Sequence, residues 1–147
     1  MTAFSVENEN GVAVVTFDLP GEPVNKLTAE VMDEFEMLLT RLGEDGMVRA
    51  VVLISGKPDN FIAGADIEQF TRLRSAADAS ALSRTGQEIA DRVSGFPKPF
   101  VVAIHGACLG GGFELALACH WRVISDSPKT QLGLPEAKVG LFPGGGG

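Results

Sequence analysis

The stretch Phe100-Val-Val-Ala-Ile-His-Gly-Ala-Cys-Leu-Gly-Gly-Gly-Phe-Glu-Leu-Ala-Leu-Ala-Cys119 decides the fold class. Phe100 to Ile104 is apolar at every position, as a parallel strand covered on both faces requires. Gly110-Gly-Gly112 then turns the chain, and Phe113 to Cys119 reads as a short apolar helix. The first N–H groups of a helix have no intrahelical acceptor. Glycines at that point let a ligand oxygen approach the backbone, and the helix dipole favours negative charge there. Main chain alone can form an oxyanion hole in this way. The same glycines also serve close helix–strand packing, and the sequence leaves both readings open. Glu114, in the first turn of this helix, is either a favourable dipole partner or, among apolar neighbours, a group suited to moving a proton.

Working outward, Ala50-Val-Val-Leu-Ile-Ser55 is a second buried strand, and Trp121 to Ser125 reads as a strand. Val6 to Asp18 reads as a hairpin, with turn chemistry at Asn8-Glu-Asn-Gly11. Thr28 is placed to cap a helix through Leu42, whose Val31, Met32, Phe35, Leu38, Leu39 and Leu42 keep the helical period. A further helix runs from Ser75 to about Val93 and ends at Gly95-Phe-Pro-Lys-Pro99. Leu19 to Lys26, Gly56 to Asp66 and Gln131 to Gly147 read as loops. Trp121 and the phenylalanines read as core, and Asp33, Glu34 and Glu36 as a solvated helix face. Strands alternating with helices predict an α/β layer fold. No internal boundary divides residues 1–147.

The chain has 147 residues, 45% of them apolar and 21% charged, which suits one domain with a real core. Its net charge of −7, with no basic stripe, argues against nucleic acid as a partner. An anionic ligand would have to be held locally, by backbone N–H groups or a few placed lysines. His105 and Glu114 interrupt the most apolar stretch, so no membrane span is expected. The first ten residues resemble no secretory signal, and Cys108 and Cys119 read as reduced core thiols, so a cytoplasmic location is expected. The P-loop, dinucleotide-binding and nucleophile-elbow patterns do not occur, which leaves a hydrolase reading of the His105-Gly turn without its nucleophile. His105 and His120 form no metal-ligand pattern, and His105 reads as a hydrogen-bonded structural residue.

Two more segments carry candidate chemistry. In Phe61-Ile-Ala-Gly-Ala-Asp-Ile67, small residues follow a buried strand and leave backbone N–H groups for a carbonyl or an adenine ring. The alternative is a tight turn with Asp66 capping the next helix. Leu134-Pro-Glu136 is, on its own, a helix cap as readily as a catalyst.

Taken in order, Pro20-Gly-Glu-Pro-Val-Asn-Lys-Leu27, Pro58-Asp-Asn-Phe-Ile-Ala-Gly-Ala-Asp-Ile67, Ile104 to His120 and Pro128-Lys-Thr-Gln-Leu-Gly-Leu-Pro-Glu136 resemble the crotonase (enoyl-CoA hydratase/isomerase) superfamily. Within it they resemble the amino-terminal hydratase part of multifunctional fatty-acid oxidation α subunits. The resemblance implies an α/β crotonase-like superhelix of stacked β-β-α turns, here C-terminally truncated relative to the family, with an exposed apolar face where further helices would pack. It implies an oxyanion hole at Ala63 and Gly111, acid/base roles for Glu114 and Glu136, and water positioning by Gly144. It implies CoA contacts from Lys26, Ala63, Gly64, Ala65, Asp66 and Ile67. The activity implied is hydration of 2-enoyl-CoA in fatty-acid β-oxidation, with Δ3-Δ2-enoyl-CoA isomerisation as a possible companion. No separate cofactor is implied, because coenzyme A is part of the acyl-CoA or enoyl-CoA substrate, and no metal. The partners implied are further copies of the chain or a thiolase subunit. The alternative is a non-catalytic fragment that binds acyl-CoA or a partner subunit.

Overall fold

The computed structural model describes residues 2–66, 71 and 73–146. The chain opens with an antiparallel hairpin of β1 (Phe4–Glu9) and β2 (Val12–Phe17), in which Phe4 faces Phe17 and Glu9 faces Val12. Asn10 and Gly11 make its turn with φ of 54° and 89°, the left-handed pair that matches strand twist. Helix α1 (Ala29–Glu44) follows, with the Thr28 hydroxyl accepting from the Val31 N–H at 3.2 Å. Strands β3 (Ala50–Ser55), β5 (Phe100–Ile104) and β7 (Trp121–Ile124) then join β2 in parallel, giving the order β1-β2-β3-β5-β7.

A second parallel sheet, in the order β4-β6-β8, is built from β4 (Asn60–Ile62), β6 (Ala107–Leu109) and β8 (Gln131–Gly133). Each of β3, β5 and β7 is therefore followed by a short strand. Helix α2 (Ala76–Ser94) follows β4, helix α3 (Gly111–Ala118) follows β6, and a 3-10 turn (Glu136–Val139) follows β8. This is the stacked β-β-α arrangement expected. The short strands lie where the sequence reads as loop or glycine turn, because three residues are too few to show a period.

The core lies between α1 and the long sheet. Helix α1 buries Val31, Phe35, Leu38, Leu39 and Leu42, and the strands bury Val15, Phe17, Val51, Leu53, Phe100 and Val102. Rings of Phe4, Phe17 and Phe35 stack at 4.7 and 5.4 Å, and Phe100 meets Phe35 and Phe96 edge-on. Strand β3 alternates buried and half-buried residues, so its second face is only partly covered, unlike the fully covered strand expected. Glu34, expected in a solvated face, instead accepts from the N–H groups of Ala3 and Phe4 and pins the start of the chain onto α1.

Helix ends are closed by cations and a histidine. Lys98 donates to the carbonyls of Leu42 and Asp45, and Arg122 to those of Ala116, Leu117 and Cys119. His120 Nδ1 accepts from the Phe100 N–H at 2.9 Å while its Nε2–H donates to Ser94 O at 3.0 Å.

The outer edge is different. All four residues of β7 are exposed, and Trp121 is 69% exposed, a correction to its expected place in the core. Val123, Ile124, Val139, Leu141 and Phe142 are exposed as well, so the apolar face expected from the resemblance is present. Among the described residues no helix is long and apolar enough to cross a membrane.

Candidate active site

Two backbone segments converge where the short sheet meets α3. The first is the β6–α3 junction. The Gly110 N–H donates to Gly133 O at 2.9 Å, and its carbonyl accepts from the N–H groups of Phe113 and Glu114. Gly110 has φ of 53°, a conformation that excludes most side chains. The glycines that follow separate the two sequence readings. A Cβ on Gly112 would stand 2.6 Å from Ile62 Cβ, so this glycine serves packing against β4. Gly111 begins the helix, and among the described residues its N–H meets no acceptor.

The second segment follows β4. The Ala63 N–H donates to Asn25 O at 2.8 Å. The Leu27 N–H donates to Gly64 O at 2.9 Å, and the Asp66 N–H to Leu27 O at 3.2 Å. Residues 27 and 65 thus form a single parallel bridge. Since Gly64 and Asp66 supply its bonds, the N–H of Ala65 points to the opposite side. Gly64, with φ of 117°, makes the change of direction possible. A Cβ placed on Gly111 would lie 3.8 Å from the Ala65 nitrogen. Among the described residues the Ala65 N–H, like that of Gly111, meets no acceptor. Ala63, expected as an oxyanion donor, therefore has its N–H engaged elsewhere, and the donor facing Gly111 belongs to Ala65. The reason is physical: spacing along the chain does not reveal which peptide a positive-φ glycine turns inward.

Two carboxylates flank this pair. Glu114 is 5% exposed, and its Oε1 accepts from the Gly145 N–H at 2.8 Å. Its Oε2 lies 4.0 Å from a Cβ position on Gly111. Glu136 opens the 3-10 turn after β8. Its Oε1 lies 2.9 Å from a Cβ position on Gly110, so any side chain there would displace it. Its Oε2 is buried and has no hydrogen-bond partner among the described residues. An unpartnered buried carboxylate oxygen is costly unless a ligand or water satisfies it.

Gly144, whose N–H the resemblance assigns to water positioning, sits in the turn that touches Glu114. Its carbonyl accepts from Ser83 Oγ at 2.6 Å and Gln87 Nε2 at 2.8 Å, which fastens the turn to α2. The N–H that reaches a glutamate is that of Gly145. Lys26 is partly exposed and pairs with Glu22 at 3.1 Å. Asp66 is half-buried beside the same loop, and Ile67 lies outside the described residues. His105 Nε2–H donates to Lys57 O, the structural role expected of it. Burial pushes the thiols of Cys108 and Cys119 up to about 12, so both are unreactive core groups at neutral pH. The residue missed from sequence is Asn25, whose side chain is fully buried beneath the donor loop. Its only signal was an amide inside the Pro20–Leu27 segment.

Comparison with known proteins shows the family. The family described as enoyl-CoA hydratase/isomerase matches residues 7–147. The fatty acid oxidation complex subunit alpha of Idiomarina loihiensis is 53% identical over 146 residues, covering 99% of this chain and 21% of that protein. Its counterpart in Shewanella oneidensis is 52% identical over 139 residues, covering 95% and 20%. Among solved structures, an enoyl-CoA hydratase from Bacillus anthracis superposes with a TM-score of 0.88 at 28% identity, covering 99% of this chain and 55% of that one. DspI of Pseudomonas aeruginosa gives 0.88 at 32% identity, covering 99% and 58%. The chain thus spans about a fifth of the length of these curated relatives and just over half of these solved structures. With the stacked β-β-α fold, the paired backbone donors and the match across residues 7–147, the chain belongs to the enoyl-CoA hydratase/isomerase family.

Proposed function

We propose that this chain carries the site of an enoyl-CoA hydratase acting in fatty-acid β-oxidation. The observation that supports it is the convergence of two backbone donors, Ala65 and Gly111, with two glutamates, where among the described residues both N–H groups and one buried Glu136 oxygen meet no partner. In this reading the two N–H groups receive the thioester carbonyl oxygen of a 2-enoyl-CoA. Charge grows on that oxygen as water adds, so the donors stabilise the enolate more than the ground state. One glutamate takes a proton from water as its oxygen bonds to C3. The other delivers a proton to C2, and the product is the 3-hydroxyacyl-CoA thioester. The atoms of one water are added to one double bond. Glu114 and Glu136 share these two proton-transfer roles in this reading.

Coenzyme A enters as part of the substrate, and the 63–67 loop with Lys26 is the proposed contact for it. Isomerisation between 3-enoyl and 2-enoyl thioesters needs only one proton carrier and is a companion activity in this reading. The exposed apolar edge supports assembly with other chains, as the relatives' description as a complex subunit also does. The same edge lies beside Glu136 and favours a second reading, in which the chain binds acyl-CoA without turnover.

The test is hydration of a short 2-enoyl-CoA, followed through loss of the conjugated thioester absorbance, with calorimetry of a saturated acyl-CoA alongside. Turnover that Glu114→Gln removes supports the proposal. Heat of binding with no turnover supports the second reading, and neither signal from a folded chain overturns both.

A further inference from the structure

We propose that Asn25, together with Ser55 and Asn60, is a positioning device that fixes the separation of the Ala65 and Gly111 N–H groups. The inference rests on the hydratase reading above, and it assigns Asn25 no contact with substrate.

Asn25 is fully buried, and its side chain is satisfied entirely by protein. Its Oδ1 accepts from the Leu19 N–H at 2.9 Å. Its Nδ2 donates among Phe17 O at 2.8 Å, Ser55 Oγ at 2.9 Å and Phe61 O at 3.1 Å. Its own N–H donates to Asn60 Oδ1 at 2.8 Å, and its carbonyl accepts from the Ala63 N–H at 2.8 Å. Ser55 Oγ donates to Asn60 O at 2.6 Å. Asn60 Nδ2 continues the network to Ala107 O at 3.3 Å.

One knot therefore joins the ends of β2 and β3, Asn60 and Phe61 of β4 and the start of β6. The two strands it ties together, β4 and β6, lead directly into the two donors. An apolar residue of the same volume would leave the Leu19 N–H without this acceptor and Phe61 O without this donor, so shape alone does not replace the amide. What the amide adds is direction. A fully satisfied buried network holds its members at fixed angles. Two donors aimed at one oxygen need that rigidity, because a displacement of about 1 Å at a reacting group can lower the rate by roughly a hundredfold.

The test compares Asn25→Ser and Ser55→Ala with a core control, Val102→Ala, each checked for folding by thermal unfolding. Two readouts are taken. One is amide hydrogen exchange at residues 61–66. The other is the infrared stretch of an isotope-labelled thioester carbonyl in an enoyl-CoA bound at saturation, measured beside kcat and KM. The knot variants should exchange the Ala63 amide faster and lose most of the carbonyl shift. Their kcat should fall roughly tenfold to a hundredfold with KM changed by less than about threefold. The core control should keep the parental carbonyl shift. If Asn25→Ser does not fold, Ser55→Ala, which removes a single hydroxyl, decides the matter.

A parental carbonyl shift in folded knot variants overturns the inference, as does an equal loss in the core control. If the parent chain itself produces no carbonyl shift, the hydratase reading has failed and the inference falls with it. Exchange then tells the two failures apart. Faster Ala63 exchange would mean that the knot holds the loop for some other purpose, and unchanged exchange that it does not hold the loop.

Discussion

Strands β5 and β7 are neighbours in one parallel sheet and have opposite fates. β5 buries Phe100, Val102 and Ile104, whereas every residue of β7 is exposed. β5 is wholly apolar and β7 is apolar but for Arg122, so composition alone does not predict so complete a difference. Position does: β5 is paired on both sides and covered by neighbouring turns, while β7 is the last strand of its sheet. In a stack of β-β-α turns, each turn is closed by the next. The site straddles that divide. Ala65, Gly111 and Glu114 stand on inner turns, and Glu136 stands on the outermost, beside exposed Val139 and Phe142. The difference suggests a rigid half of the site, fixed by the core, and a half held mainly by its own turn.

The sharpest way to probe this contrast is to remove each carboxylate in turn. Glu114→Gln should lower kcat by ~100-fold or more with little change in thermal stability, since the amide keeps the shape and an acceptor for the Gly145 N–H. Glu136→Gln should lower kcat comparably and leave stability unchanged or slightly raised, because its unpartnered buried oxygen loses its charge. A hydration assay beside a melting curve reads both, and a large stability loss from Glu136→Gln would break the picture of a loosely held outer half.

Backbone crowding gives the next largest effect. Gly112→Ala should cost about 1–3 kcal/mol, since its Cβ would stand 2.6 Å from Ile62 Cβ on an inner turn. Gly133→Ala on the outer strand β8 meets nothing within 4 Å and should stay within about 0.5 kcal/mol. Equal denaturation midpoints for the two variants would contradict the division.

The thiols test the inner half by pH. Cys108 and Cys119 are raised by burial to about 12 from 9.0. Below pH 9 both folded and unfolded chains carry neutral thiols and nothing changes. Between pH 9 and about 12 the unfolded chain ionises first, so it binds fewer protons and stability falls as pH rises. Cys→Ser at both positions should flatten that alkaline slope in urea titrations. The smallest effect belongs to the edge: Val123→Lys, on an exposed strand, should leave stability within about 0.5 kcal/mol.

Much of the inner half was legible in the sequence. The five- and six-residue strands and the capped helices carry periods long enough to read, and Gly110-Gly-Gly112 with Glu114 marked the start of a glycine-led helix whose packing and ligand readings stayed open. The strands of the second sheet were not legible, because three residues show no alternation. Trp121 was misplaced because an apolar strand on the edge of a stack reads like one inside it. In the loop after β4 the expectation fell on Ala63, whose N–H is engaged by Asn25 O, whereas the N–H of Ala65 faces Gly111. Only the pairing with Asn25 and Leu27, and the turn at Gly64, reveal which N–H faces inward. Asn25 itself stayed hidden, since a buried amide and a loop amide look alike in sequence.

Trp121 is the sole tryptophan, and the chain has no tyrosine. Excited at the red edge where only indole absorbs, the protein would glow from one place, the solvent-facing side of β7. Its native emission should be water-like and should change little when the core melts. Anything that settles on that edge should shift the colour toward the blue, so the chain carries a built-in optical gauge of whether its outer strand is covered.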